Sequence, residues 1–107
     1  MLKHIVLFKL KSNYNDQEKQ QAKKEIADVL KKLPEYIPEI LYYEVIENQA
    51  NRLGGSEIGI ISGFKNFDEL NTYRNHHKHI EAVEVIKRHS ESSTYLDYTN
   101  YISLFKK

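Results

Sequence analysis

The sequence predicts an α+β fold, a four-stranded antiparallel sheet with helices packed on one of its faces. Three observations lead there. Segments of strand and helix character follow one another in the order βαββαβ. The opening strand carries apolar residues on both faces, so both are at least partly covered. The two middle strands are joined by a polar, glycine-bearing loop, which pairs them as a long hairpin.

The first strand runs from Leu2 to Leu10. Leu2, His4, Val6, Phe8 and Leu10 alternate with Lys3, Ile5, Leu7 and Lys9, the period-two pattern of a strand. Asn13–Asp16 is a polar break. Asn15 is placed to cap the following helix, with Glu18 in the capping-box position. Ala22, Ile26, Val29, Leu30 and Leu33 then recur at helical spacing, and Pro34 is expected to stop the helix. ILYYEVI at 40–46 is β-branched and aromatic and reads as the second strand. Tyr42 and Tyr43 must face opposite ways.

The third strand, Ile58–Phe64, contains Gly59 and Gly63, which point to a close backbone approach or a bulge. Asn66 caps the next helix, on which Phe67, Leu70 and Tyr73 share a face. After Asn75 the helical pattern resumes through Ile80, Val83 and Ile86. Ser90–Thr94 reads as a break, Tyr95–Ile102 as the fourth strand and the final residues as a tail. This is the ferredoxin-like order.

Composition narrows the function. The 107 residues fit a single domain, 1–107. Sixteen Lys and Arg against fifteen Asp and Glu leave a net charge of +1. That balance, with no basic stripe, argues against a nucleic-acid-binding surface. The absence of cysteine removes disulfides, thiol catalysis and thiolate metal sites. The N-terminus lacks the form of a signal peptide, and no stretch approaches the roughly 20 apolar residues of a membrane span. A soluble, cytoplasmic protein is expected.

The chemistry concentrates in YRNHHKHIEAV, residues 73–83, where three of the five histidines lie within four positions. At 100° per residue, Val83 and Ile86 lie within about 40° of the direction of His79. His79 therefore points toward the sheet, His76 sits at the border of the apolar stripe, and His77 faces solvent. His4 shares a strand face with Val6 and Phe8. If that face meets the helices, His4 and His79 approach each other with Tyr73 beside them. Val6, Phe8, His76 and Val83 are the expected neighbours of the resulting pocket.

Two imidazoles and a phenol in an apolar setting suit proton transfer next to a carbonyl. The same residues also suit a hydrogen-bonded core network. A metal shared by His76 and His79 is a further reading, but zinc wants three or four protein ligands and no acidic partner is evident. No metal and no cofactor is expected.

HIVLFKL at 4–10, IPEI at 37–40, YEVIEN at 43–48, YRNHHKH at 73–79 and LDY at 96–98 resemble the stress-responsive dimeric α/β-barrel (Dabb) family, in order and spacing over most of the chain. The resemblance implies that two ferredoxin-like chains pair sheet to sheet into a barrel. Ile5 and Leu7 would then line its interior against the partner, covering an apolar sheet face that a monomer would expose. The family includes a plant polyketide cyclase that works without a cofactor. Its catalytic Tyr and His fall on Tyr73 and His79, and its strand-one His on His4. On that likeness His79 acts as general acid or base, Tyr73 hydrogen-bonds a carbonyl oxygen, and His4 positions the substrate.

The sequence departs from the pattern twice. His77 replaces the proline of N-H-P-x-H, and Ile58 replaces a further histidine of the cyclase. The function expected is that of a homodimer with a small-molecule pocket, either a cyclase-like enzyme or a non-catalytic stress protein. A haem or monooxygenase relative of the same barrel architecture is a third reading.

Overall fold

A computed structural model describes residues 1–50 and 52–99. The elements are β1 (Leu2–Leu10), α1 (Asp16–Lys31), α2 (Leu33–Tyr36), β2 (Tyr42–Glu47), β3 (Ile58–Phe64), α3 (Phe67–Asn75), α4 (His77–His89) and β4 (Ser90–Tyr98). The strands form one antiparallel sheet in the order β2-β3-β1-β4. This is the ferredoxin-like topology, with the helices on one face.

The core lies between sheet and helices. Leu2, Phe8 and Leu10 of β1 and Ile58, Ile60 and Phe64 of β3 meet Ala22, Ile26 and Leu30 of α1, Leu70 and Tyr73 of α3, and Ala82 and Ile86 of α4. The opposite face is open in the single chain. Leu7 is 38% exposed and Leu96 59% exposed, and Leu96 stands opposite Ile5 in the strand register.

Helix α1 begins as its sequence dictates. The Asn15 side chain accepts from the Glu18 backbone N–H at 2.8 Å, and the Asn15 N–H donates to the Glu18 carboxylate at 2.9 Å. Two donors left over at the helix start are thereby satisfied. The far end differs from expectation. Helix α1 stops at Lys31, and Pro34 lies in the first turn of α2, where a proline forfeits no hydrogen bond.

β2 starts two residues later than the second strand read from sequence, at Tyr42. The larger correction concerns β4. Ser90–Thr94 is strand and not a break, and it follows α4 directly. Ser90, Ser92 and Ser93 pair with Leu10, Lys9 and Phe8, with a register shift between Lys9 and Leu10. Ladder hydrogen bonds come from the backbone, so a polar run holds a strand when a neighbour offers its edge. The remainder of the expected fourth strand, 100–102, and the tail lie outside the described residues.

On the helices, Ile80 is 51% exposed and Phe67 also faces out, whereas both were expected inside. Ala82 takes the inward place on α4.

Gly59 marks a close backbone approach. A Cβ there would stand 2.5 Å from the Val6 carbonyl oxygen on the neighbouring strand. Because the obstacle is backbone, it has little room to yield. Gly59→Ala is therefore expected to destabilise by about 1–3 kcal/mol, read as a lower urea midpoint at unchanged slope.

Candidate functional site

The register of the sheet builds the floor of the site. Tyr43 on β2 pairs with Ser62 on β3, Ser62 with His4 on β1, and His4 with Asp97 on β4. These four polar residues form one row across the sheet on its helix-facing side. The adjoining row is Val45, Ile60, Val6 and Tyr95. A polar row amid apolar packing must satisfy its own hydrogen bonds, and it does. Ser62 Oγ donates to the His4 carbonyl at 3.1 Å, and His4 Nδ1 bonds the Asp97 carboxylate.

Helices α3 and α4 supply the roof. Tyr73 comes from the last turns of α3 and is fully buried. Its ring lies 5.0 Å from that of Phe64, 4.4 Å from that of His79 and 6.3 Å from that of His4, centre to centre. Its hydroxyl pairs with that of Tyr43 at 3.1 Å. Burial pushes the Tyr73 phenol up to about 12, and burial, reinforced by the neighbouring Tyr73, raises Tyr43 as well. Both phenols stay protonated near neutrality. With Tyr43 donating, the Tyr73 proton is left to give to another acceptor.

His79 is half-buried on α4, and its Nδ1 lies 3.0 Å from the Arg74 carbonyl. A carbonyl only accepts, so Nδ1 carries the proton and Nε2 keeps its lone pair. Burial lowers the pKa of His79, and the nearby His4 and Arg74 lower it further, against the opposing pull of that carbonyl. The ring is neutral at pH 7. The same reasoning places a proton on His4 Nδ1, facing the Asp97 carboxylate.

The His79 shift makes stability depend on pH. The unfolded imidazole takes its proton near 6.5, the folded one only at lower pH. Above 6.5 neither state carries the extra proton. As pH falls below 6.5 the unfolded state is favoured until the folded ring also protonates. Chemical unfolding from pH 8 to 5 should show this loss, and His79→Gln should shrink it.

His4, Tyr73 and His79 line a common cavity of about 260 Å³. Val6, Phe8 and Val83 contribute to its apolar wall, with Ile60, Leu30 and Ile86. His76 is not on that wall. It sits at the junction of α3 and α4, where Nδ1 accepts from the Lys78 N–H at 3.1 Å and the ring stacks on His77. His77 occupies the first helical position of α4, and the His76 side chain caps that helix start. His77 is exposed.

Among the described residues no three His, Asp or Glu side chains converge as a metal site, and no helix is long and apolar enough to cross a membrane.

Sequence reasoning missed Tyr43, Ser62, Asp97, Arg74 and Lys87. Asp97 carried a signal, being the central residue of LDY and opposite His4 once β1 and β4 are paired. Tyr43 was one of two candidates for the inward face. Arg74 and Lys87, also on the cavity wall, carried none.

A ferredoxin-like α+β sandwich with an open apolar sheet face and a His- and Tyr-lined cavity defines the class. The model of the Stress Responsive A/B Barrel Domain, Dabb, matches residues 2–100, and the chain belongs to that family. A dimeric protein of unknown function and ferredoxin-like fold from Bacteroides fragilis is 32% identical, over 91% of this chain and 93% of its own, with a TM-score of 0.83. A dimeric ferredoxin-like protein of unknown function from Thermobifida fusca is 20% identical over 92% and 90%, with a TM-score of 0.76. A hydroxynitrile lyase from Passiflora edulis is 17% identical over 96% and 95%, with a TM-score of 0.75. The last two likenesses show the fold alone. A comparison with curated proteins finds no match.

Proposed function

We propose that the chain acts as a cytoplasmic homodimer whose cavity binds a small carbonyl compound and moves a proton on it. The observation that carries this reading is the cavity of about 260 Å³. A network serving only to hold the core would fill its space. Here an apolar hollow remains beside two imidazoles and a phenol, the composition expected of a ligand site.

The residues divide the work. His79 Nε2, unprotonated at neutral pH, takes a proton from the carbon next to the carbonyl. The Tyr73 hydroxyl, backed by Tyr43, donates to the oxygen on which charge develops. His4, held by Asp97, orients the substrate. Apart from the ligand no co-reactant is required. The dimer is supported by the open apolar face carrying Ile5, Leu7 and Leu96 and by the dimeric relatives. The cyclase-like activity implied by the resemblance is one case of this proton chemistry. The non-catalytic reading draws its support from the completeness of the polar row, in which His4, Ser62, Tyr43 and Asp97 all have partners.

The test is a screen of small ketones for shifts of the His4, Tyr73 and His79 signals, followed by deuterium exchange at the acidic carbon of any binder. The proton-transfer reading expects exchange that falls by about 100-fold or more in His79→Gln. Exchange at the buffer rate with a bound ketone would leave a binding protein. No binder at all would leave the structural network.

A further inference from the structure

We propose that the cavity selects an organic carboxylate, with Arg74 and Lys87 holding the charged group at the mouth while the neutral body lies against His4, Tyr73 and His79. This rests on the reading of the cavity as a ligand site and adds the class of ligand.

The charge distribution on the wall is one-sided. Arg74 and Lys87 both line the cavity, and no Asp or Glu does. The Asp97 carboxylate is engaged by His4 Nδ1. Among the described residues, neither Arg74 nor Lys87 enters an ion pair. Two permanent cations therefore face this space without a counter-charge.

Their placement sets the polarity of the ligand. Arg74 and Lys87 are exposed, whereas His4 and Tyr73 are buried. The charged end of a bound molecule thus stays at the solvent edge, where an anion keeps part of its hydration. Its uncharged end enters among Val6, Phe8 and Ile60. Arg74 favours a carboxylate in particular, because the planar guanidinium matches its two oxygens. The volume is at the small end of ligand sites, which run from roughly 300 to 1,000 Å³. A compact acid fits better than a long-chain one. Bound this way, the acid directs its inner end toward His79.

The experiment is an NMR titration of the full chain with 2-naphthoate and with 2-naphthamide, in wild type and in the Arg74→Gln, Lys87→Gln double variant. Both positions are exposed, and the carbonyl that Arg74 offers to His79 belongs to the backbone, so the variant keeps that bond. In wild type the carboxylate should bind about ten-fold more tightly than the amide, which corresponds to one or two partly exposed charge contacts. The preference should shrink as salt is raised. The double variant should lose it while binding the amide as before. Equal affinities in wild type, or a preference that survives in the double variant, would overturn the carboxylate assignment and leave the ligand site standing. If neither compound moves the His4 and His79 signals, the ligand site and this assignment fall together.

Discussion

Tyr73→Ala is expected to lower the unfolding free energy by about 3–5 kcal/mol, the range for deleting a fully buried aromatic ring. The ring is completely shielded and packs on Phe64 and His79. Domains of this size are stable by only about 5–15 kcal/mol in total, so the substitution removes a substantial share of that stability. Tyr73→Phe separates ring from hydroxyl. It keeps the packing and leaves the Tyr43 hydroxyl without its partner, at a cost of about 1–3 kcal/mol. Urea unfolding of the two variants checks both figures. A Phe variant as unstable as the Ala variant would mean that the paired hydroxyls, and not the ring, hold α3 to the sheet.

The second large effect concerns assembly. Ile5 and Leu7 lie on the outward face of β1, and Ile5 stands between Ile61 on β3 and Leu96 on β4. Ile5→Asp places a charge at the centre of this face. In the proposed dimer that charge is buried without a partner, which costs several kcal/mol and raises the dissociation constant by about 1,000-fold or more. Sedimentation at micromolar concentration should show a dimer for the wild type and a monomer for Ile5→Asp. A wild-type chain that sediments as a monomer would contradict the dimer, and a variant that remains dimeric would place the interface elsewhere.

The elements legible in the sequence were those whose signals are local. The alternation of Leu2, His4, Val6 and Phe8 located β1 and its buried face, and the capping box of Asn15 and Glu18 located the start of α1. The failures came where tertiary pairing overrides local character. Ser90–Thr94 is too polar to read as a strand alone, yet the edge of β1 recruits it. Ile80 was read into the apolar pattern of α4 yet faces out, because at 100° per residue it lies about 100° from His79, off the stripe that Val83 and Ile86 share.

The site divides in the same way. His4, Tyr73 and His79 were reachable from helical and strand periods, and their common cavity follows from the fold. Asp97 and Tyr43 were not, because Asp97 meets His4 through a strand register 93 residues away and Tyr43 meets Tyr73 through helix-on-sheet packing 30 residues away, and no local pattern encodes either.

The proton-transfer reading stands on His79 as a neutral base with its proton on Nδ1. The most direct measurement is a pH titration of the His79 ring nitrogens by NMR, which reports the midpoint and the tautomer together. The prediction is a midpoint below 6.5, the ordinary histidine value, with the Nδ1–H tautomer at neutral pH. A midpoint at or above 6.5 would contradict the desolvated setting of His79, and a proton on Nε2 would remove the lone pair that this chemistry needs.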